Sequence, residues 1–81
     1  MNVEVKLFAV ARQLVGSEAI VVELPAGATV RALRDALGER HVELRDIIER
    51  AMIAIDAEYV NNEAIIPEDS EIALIPPVSG G

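Results

Sequence analysis

The residues with the clearest chemical use are the last two, Gly80 and Gly81. Neither carries a Cβ, so this segment can thread a narrow channel, and the carbonyl carbon of Gly81 stays open to attack. The reactive group of such an end is its carboxylate. A free carboxylate is a poor acyl donor at neutral pH, so it needs activation, for instance by adenylation with ATP. The residues ahead of it, Pro76-Pro77-Val78-Ser79, read as a spacer. Two prolines fix φ and remove two backbone donors, which stops strand pairing. Ile75, before the first proline, is pushed into extended geometry. Residues 76–81 fully extended reach about 20 Å. A glycine pair alone also fits a frayed terminus; a stiff stalk ending in a tip without side chains favours a working end.

No other set of side chains competes with it. The sequence has no cysteine and one histidine, which removes thiol chemistry, disulfides and histidine-rich metal sites. Ser17, Ser70 and Ser79 have no evident histidine partner, and His41 reads as an exposed linker residue between two helical patterns. Glu68-Asp69-Ser70-Glu71 is an acidic turn without the spacing of a calcium loop. Gly16, Gly27 and Gly38 stand singly, as turn or cap residues, and form no phosphate loop. The expectation is a chain whose side chains catalyse nothing and bind neither metal nor cofactor.

Eighty-one residues make one small domain, and 52% hydrophobic content lets it build a core at that size. The net charge of −7 works against nucleic acid and anionic membranes, and favours a basic partner surface. No apolar run approaches the roughly 20 residues of a membrane span. Asn2-Val3-Glu4-Val5-Lys6 begins as a strand and does not resemble a signal peptide. The cysteine-free composition fits a cytoplasmic protein.

The elements that must position the tail follow from periodicity. Val3, Val5 and Leu7 alternate with Glu4, Lys6 and Phe8, predicting a half-buried strand with Phe8 on its outer side. Ala9–Val15 reads as a short helical turn or wide loop closed by Gly16. Ile20, Val22 and Leu24 alternate with Val21 and Glu23 in a second strand, antiparallel to the first. After Pro25-Ala26-Gly27, Thr29 is placed to cap a helix whose apolar face is Val30, Leu33 and Leu37, with Arg31, Arg34 and Asp35 outside and an end at Gly38. Leu44, Ile47, Ile48 and Ala51 predict a second, shorter helix. Met52–Asp56 follows as a strand with Ile53 and Ile55 inward, Asp56–Val60 turns and pairs again, and Glu71–Ile75 is the last strand, with Ile72 and Leu74 inward.

This order predicts an α+β fold: a ubiquitin-like β-grasp, a mixed sheet packed on one main helix plus a second short helix. Residues 1–75 form the domain and residues 76–81 an extended tail. The last strand lies beside the first, parallel, in the centre of the sheet, so the tail leaves from the most rigid part of the fold. Phe8, Tyr59 and Ile75 then fall on the face away from the helix and form an apolar docking patch beside the tail.

Leu7-Phe8-Ala9, Arg12-Gln13-Leu14-Val15-Gly16, Thr29-Val30-Arg31-Ala32-Leu33 and the ending Ile75-Pro76-Pro77-Val78-Ser79-Gly80-Gly81 together resemble the small subunit of molybdopterin synthase, the MoaD family. The resemblance spans essentially the whole chain, and its ending is the most specific part. It implies a cycle. An adenylating enzyme uses ATP to convert the Gly81 carboxylate to an acyl-adenylate, and a sulfurtransferase step gives a thiocarboxylate. The large subunit, in a heterotetramer, takes in the tail so that sulfur passes to a pterin precursor. Phe8, Tyr59 and Ile75 match the family's hydrophobic docking positions, with Pro76, Pro77, Val78 and Ser79 following into the partner. This chain departs from the family where Asp56 stands for a more usual asparagine, where Glu68-Asp69-Ser70 lacks a usual glycine, and where Leu74-Ile75 replace aromatics. Three other readings share parts of this pattern. A thiamine-pathway sulfur carrier is disfavoured by the segment from His41 to Ala51 and by Pro76-Pro77. A ubiquitin-like protein modifier would be joined through Gly81 to lysines. A plain binding module would have an inert tail.

Overall fold

The computed structural model describes residues 1–77. Its chain order is β1 (Asn2–Leu7), α1 (Ala9–Val15), β2 (Ala19–Glu23), α2 (Val30–Arg40), a 3₁₀ turn (Val42–Leu44), α3 (Arg45–Ile48), β3 (Met52–Ile55), β4 (Glu58–Val60) and β5 (Ile72–Ile75). Five strands form one mixed sheet in the order β2-β1-β5-β3-β4. The pairs β1–β2, β3–β4 and β3–β5 are antiparallel, and β1–β5 is parallel, with Lys6 opposite Ala73 and Leu7 opposite Leu74. The expected β-grasp is therefore present, with β1 and β5 at the sheet centre. The inner row Val3, Val5 and Leu7 is buried against Leu33 and Leu37 of α2, with Ile53, Ile72 and Leu74 joining the same core.

Local chemistry accounts for the elements. Thr29 is extended and its hydroxyl accepts from the Ala32 N–H at 3.2 Å, so α2 starts where a cap residue allows it. The β3–β4 connection is a two-residue turn at Asp56 and Ala57, with φ of 49° and 70°. Two positive φ values in such a loop define a type I′ turn, whose twist matches the strands it joins. Asp56 also holds the start of β5: its N–H donates to the Glu71 carbonyl, and its carboxylate accepts from the Glu71 N–H at 2.9 Å. Asp69, at φ 61°, makes the bend before β5, with Ser70 Oγ donating to the Pro67 carbonyl. Two departures from the resembled family, the acidic Asp56 and the turn without glycine, thus fall in left-handed turns, where asparagine and glycine fit with least strain.

The structure corrects five expectations. Ala9–Val15 is a true helix, so the described residues carry three α-helices, not two. It is entered through a left-handed Ala9 at φ 52° and buries Ala11. Helix α2 passes through Gly38 to Arg40: Gly38 lacks a positive φ, and the His41 N–H closes the last turn on the Leu37 carbonyl. The second helical pattern divides into the 3₁₀ turn and the four-residue α3. His41 is half-buried and not exposed, with Nδ1 at 3.8 Å from Glu43. The largest correction is Arg34, read as outside and found buried. Its Nε donates to Asn62 Oδ1 at 2.7 Å and its Nη1 donates to the carbonyls of Ile48 and Ala51. The guanidinium serves as the C-terminal cap of α3, tying it to α2 and to the loop after β4.

Candidate functional site

The strand registers build the outer face of the sheet row by row. One row runs Tyr59, Ala54, Ala73, Lys6, Ala19 across β4, β3, β5, β1 and β2. The row above it runs from Met52 to its partner Ile75. Phe8 continues β1 by one extended residue, φ −126° and ψ 154°, so the parallel register carries it toward Ile75. The row below holds Glu71 and, by the same register, Glu4; Lys6 pairs with Glu71 at 3.4 Å.

Apart from Lys6, the two upper rows are apolar. Phe8 is 44% exposed, Met52 45% and Tyr59 64%. Between them Ala54 and Ala73 form a low floor, because alanine reaches only one carbon above the sheet. Large side chains around a shallow trough suit the insertion of a partner's anchor residue. A groove of about 350 Å³ continues this face toward β2, lined by Lys6, Phe8, Arg12, Glu18 and Ala19 among others. Glu4 and Glu18 also line the groove, and Lys6 is the one charge within the central row.

Phe8 and Tyr59 stand as the sequence predicted, exposed on the outer face. Ile75 is on that face but half-buried, being flanked by β1 and β3. Pro76 is buried and Pro77 is exposed. Val78, Ser79, Gly80 and Gly81 lie outside the described residues. Met52, Ala54 and Ala73 were missed by sequence reading. Their alternation with Ile53, Ile55 and Ile72 carried the signal, but outer-face membership becomes a surface only once β3 and β5 are known to be neighbours.

A family model described as the ThiS family matches residues 5–81. The chain belongs to the ThiS family. This member is 39% identical over 83 residues to a Caenorhabditis briggsae protein named molybdopterin synthase sulfur carrier subunit, covering 100% of this chain and 99% of that one. The resemblance drawn from the sequence is therefore shown. The fold is also close to SAMP1 from Haloferax volcanii, at TM-score 0.84 and 30% identity, each chain covered fully. It matches a chain from the complex of subunits 1 and 2 of molybdopterin-converting factor from Helicobacter pylori at TM-score 0.70 and 26% identity, again over 100% of both chains. ThiS-family membership and the β-grasp fold agree with the central placement of β5, from whose end the tail leaves.

The described residues hold no cluster of His, Cys, Asp or Glu suited to a metal ion, and no helix among them is long and apolar enough to cross a membrane. The clearest electrostatic perturbation lies on the far side of the fold. Arg31 donates to Glu49, which lowers the Glu49 carboxyl below its ordinary value and raises the guanidinium above its own. Burial, in turn, pushes the Arg34 guanidinium down. These pairs join α2 to α3 and carry no reacting group.

Proposed function

We propose that this chain is the sulfur carrier of a molybdopterin synthase. In this reading ATP adenylates the Gly81 carboxylate, releasing pyrophosphate. A sulfur donor then displaces AMP to leave a thiocarboxylate. The large subunit receives the tail, sulfur passes to the pterin precursor, and water restores the carboxylate. The fold would act as a rigid grip: the partner recognises the outer face while the tail from Pro77 extends into its active site. ATP is used by the activating enzyme and is not held by this chain.

The observation that supports this most is the apolar face of Phe8, Met52, Tyr59 and Ile75 at the base of the tail, in a chain whose family match runs to Gly81. The names of its relatives give the reaction class, and the Helicobacter pylori complex gives the kind of partner. The test is reconstitution with the large subunit from the same source. Deleting Gly81 should abolish sulfur transfer while leaving the thermal transition unchanged. A shortened chain that still transfers sulfur refutes the mechanism.

The likeness to SAMP1 favours one second reading, a protein modifier joined through Gly81 to lysines. Adducts on other proteins, seen by denaturing mass spectrometry of whole cells, would support it. Their absence alongside a thiocarboxylate would support the carrier.

A further inference from the structure

The sheet has two edges, β2 and β4, and they differ in kind. Strand β4 has three residues, and Glu58 and Val60 are turned toward β3 by the tight hairpin, which leaves Tyr59 as its one outward-facing backbone unit. Strand β2 is longer and keeps an unbroken register with β1 over five pairs. It contains no proline, lysine or bulge, the usual devices that blunt an edge.

The hydrogen bonds show which groups are free. The Leu24 N–H donates to the Met1 carbonyl, the Met1 ammonium donates back to the Leu24 carbonyl, and the Leu7 N–H donates to the Glu18 carbonyl. Antiparallel alternation then turns Ile20 and Val22 toward β1, and Ala19, Val21 and Glu23 away from it. Ser17 closes the first of these: its Oγ donates to the Ala19 carbonyl at 2.7 Å and accepts from the Ala19 N–H at 3.4 Å. Val21 and Glu23 keep both their N–H and C=O groups facing outward, and the Val21 side chain is 58% exposed.

We infer that the β2 edge is a second docking site, which takes an extended segment alternating lysine or arginine with small apolar residues as a sixth strand. Charge selects this occupant. Glu23 stands on the edge itself and Glu4 is the neighbour of Val21 one strand in, while Glu18, at the end of the edge, lies 3.9 Å from Arg12. On the outer face, long basic side chains would meet those carboxylates and lay their stems over Val21. On the inner face, apolar residues would cover Ile20, which is half-buried at the sheet margin. A second copy of this chain is disfavoured, because each copy carries a net charge of −7. The backbone pairing supplies affinity and the alternating pockets supply selection, as in other strand-addition complexes.

The probe is an acetylated and amidated heptapeptide alternating lysine and valine, with its glutamate-for-lysine counterpart as control. It is titrated into the full-length protein and followed by amide NMR and hydrogen exchange. The inference expects the Val21 and Glu23 amides to shift and to gain protection, with no effect of the glutamate peptide. Val21→Pro removes the outward N–H without touching the β1 ladder, and should weaken binding by about tenfold, the value of one lost backbone hydrogen bond. Val21→Lys is the second variant, should proline disturb the strand, and should weaken binding by like-charge repulsion. Shifts confined to Tyr59, Met52 and Phe8, an absence of shifts, or a free protein already dimeric by sedimentation with Val21 protected would each overturn it.

Discussion

Leu7 and Phe8 are adjacent in sequence and fall on opposite faces of β1, which allows a sharp test. Leu7 is 2% exposed and sits in the core, whereas Phe8 is 44% exposed on the outer face. Full burial of such a side chain stabilises by about 1.5–3 kcal/mol. Phe8 has lost a little over half of its exposure within the domain, so Phe8→Ala should cost the isolated fold about 1 kcal/mol, near 4–8 °C in Tm. A comparable amount of apolar surface remains for a partner to cover. As a central aromatic anchor its truncation should cost about 2 kcal/mol of binding, close to 30-fold in Kd. Leu7→Ala should behave in the opposite sense, losing about 2–5 kcal/mol of stability through the transfer and cavity costs. Thermal melts and calorimetric titration against the large subunit of molybdopterin synthase measure both quantities for both variants. Equal stability loss in the two variants, or unchanged affinity for Phe8→Ala, would refute the assignment of faces to roles.

Other consequences follow from single residues. Arg34→Met leaves the Ile48 and Ala51 carbonyls without their donor and should lower stability by about 3 kcal/mol, a Tm loss of about 12 °C or more in a thermal melt. Ala57→Gly relieves a left-handed alanine at φ 70° and should raise stability by about 0.5 kcal/mol, some 2–4 °C, after the added chain entropy of glycine is subtracted. The Glu49 carboxyl is lowered below its ordinary 4.5 by its hydrogen bond from Arg31, so its contribution is present above that pH and lost as pH falls through the lowered value. Melts of Glu49→Gln should therefore converge on those of the unsubstituted protein as pH drops below about 4.5 and diverge above it.

Much of this fold could be read from side-chain alternation. Val3-Val5-Leu7 and Ile72-Leu74 assign the buried face of the two central strands, and Thr29 marks the start of α2. The same parity placed Phe8 and Tyr59 on the outside. What periodicity could not supply was long-range pairing. Ala54 reads as a small strand residue, and becomes the floor of a trough only because Tyr59 and Ala73 flank it across two different strands. Arg34 looked like part of a polar helix face; its partners lie 14 to 28 residues away, on α3 and after β4. Gly38 suggested a helix end, yet its conformation is helical and its carbonyl accepts from Arg45 Nε at 2.8 Å, so the next segment supports the turn the glycine weakens. Ala9 and Ala57 lie in left-handed geometry with no marker residue to announce it.

The proposed cycle depends on sulfur being carried at the Gly81 carbonyl. Intact-mass and fragmentation mass spectrometry of the protein, purified from cells with and without the adenylating enzyme, tests that most directly. The account predicts that one oxygen is replaced by sulfur, localised to Gly81, only when the activating enzyme is present. Sulfur located on any other residue, or an unmodified Gly81 in cells with the complete pathway, would contradict it.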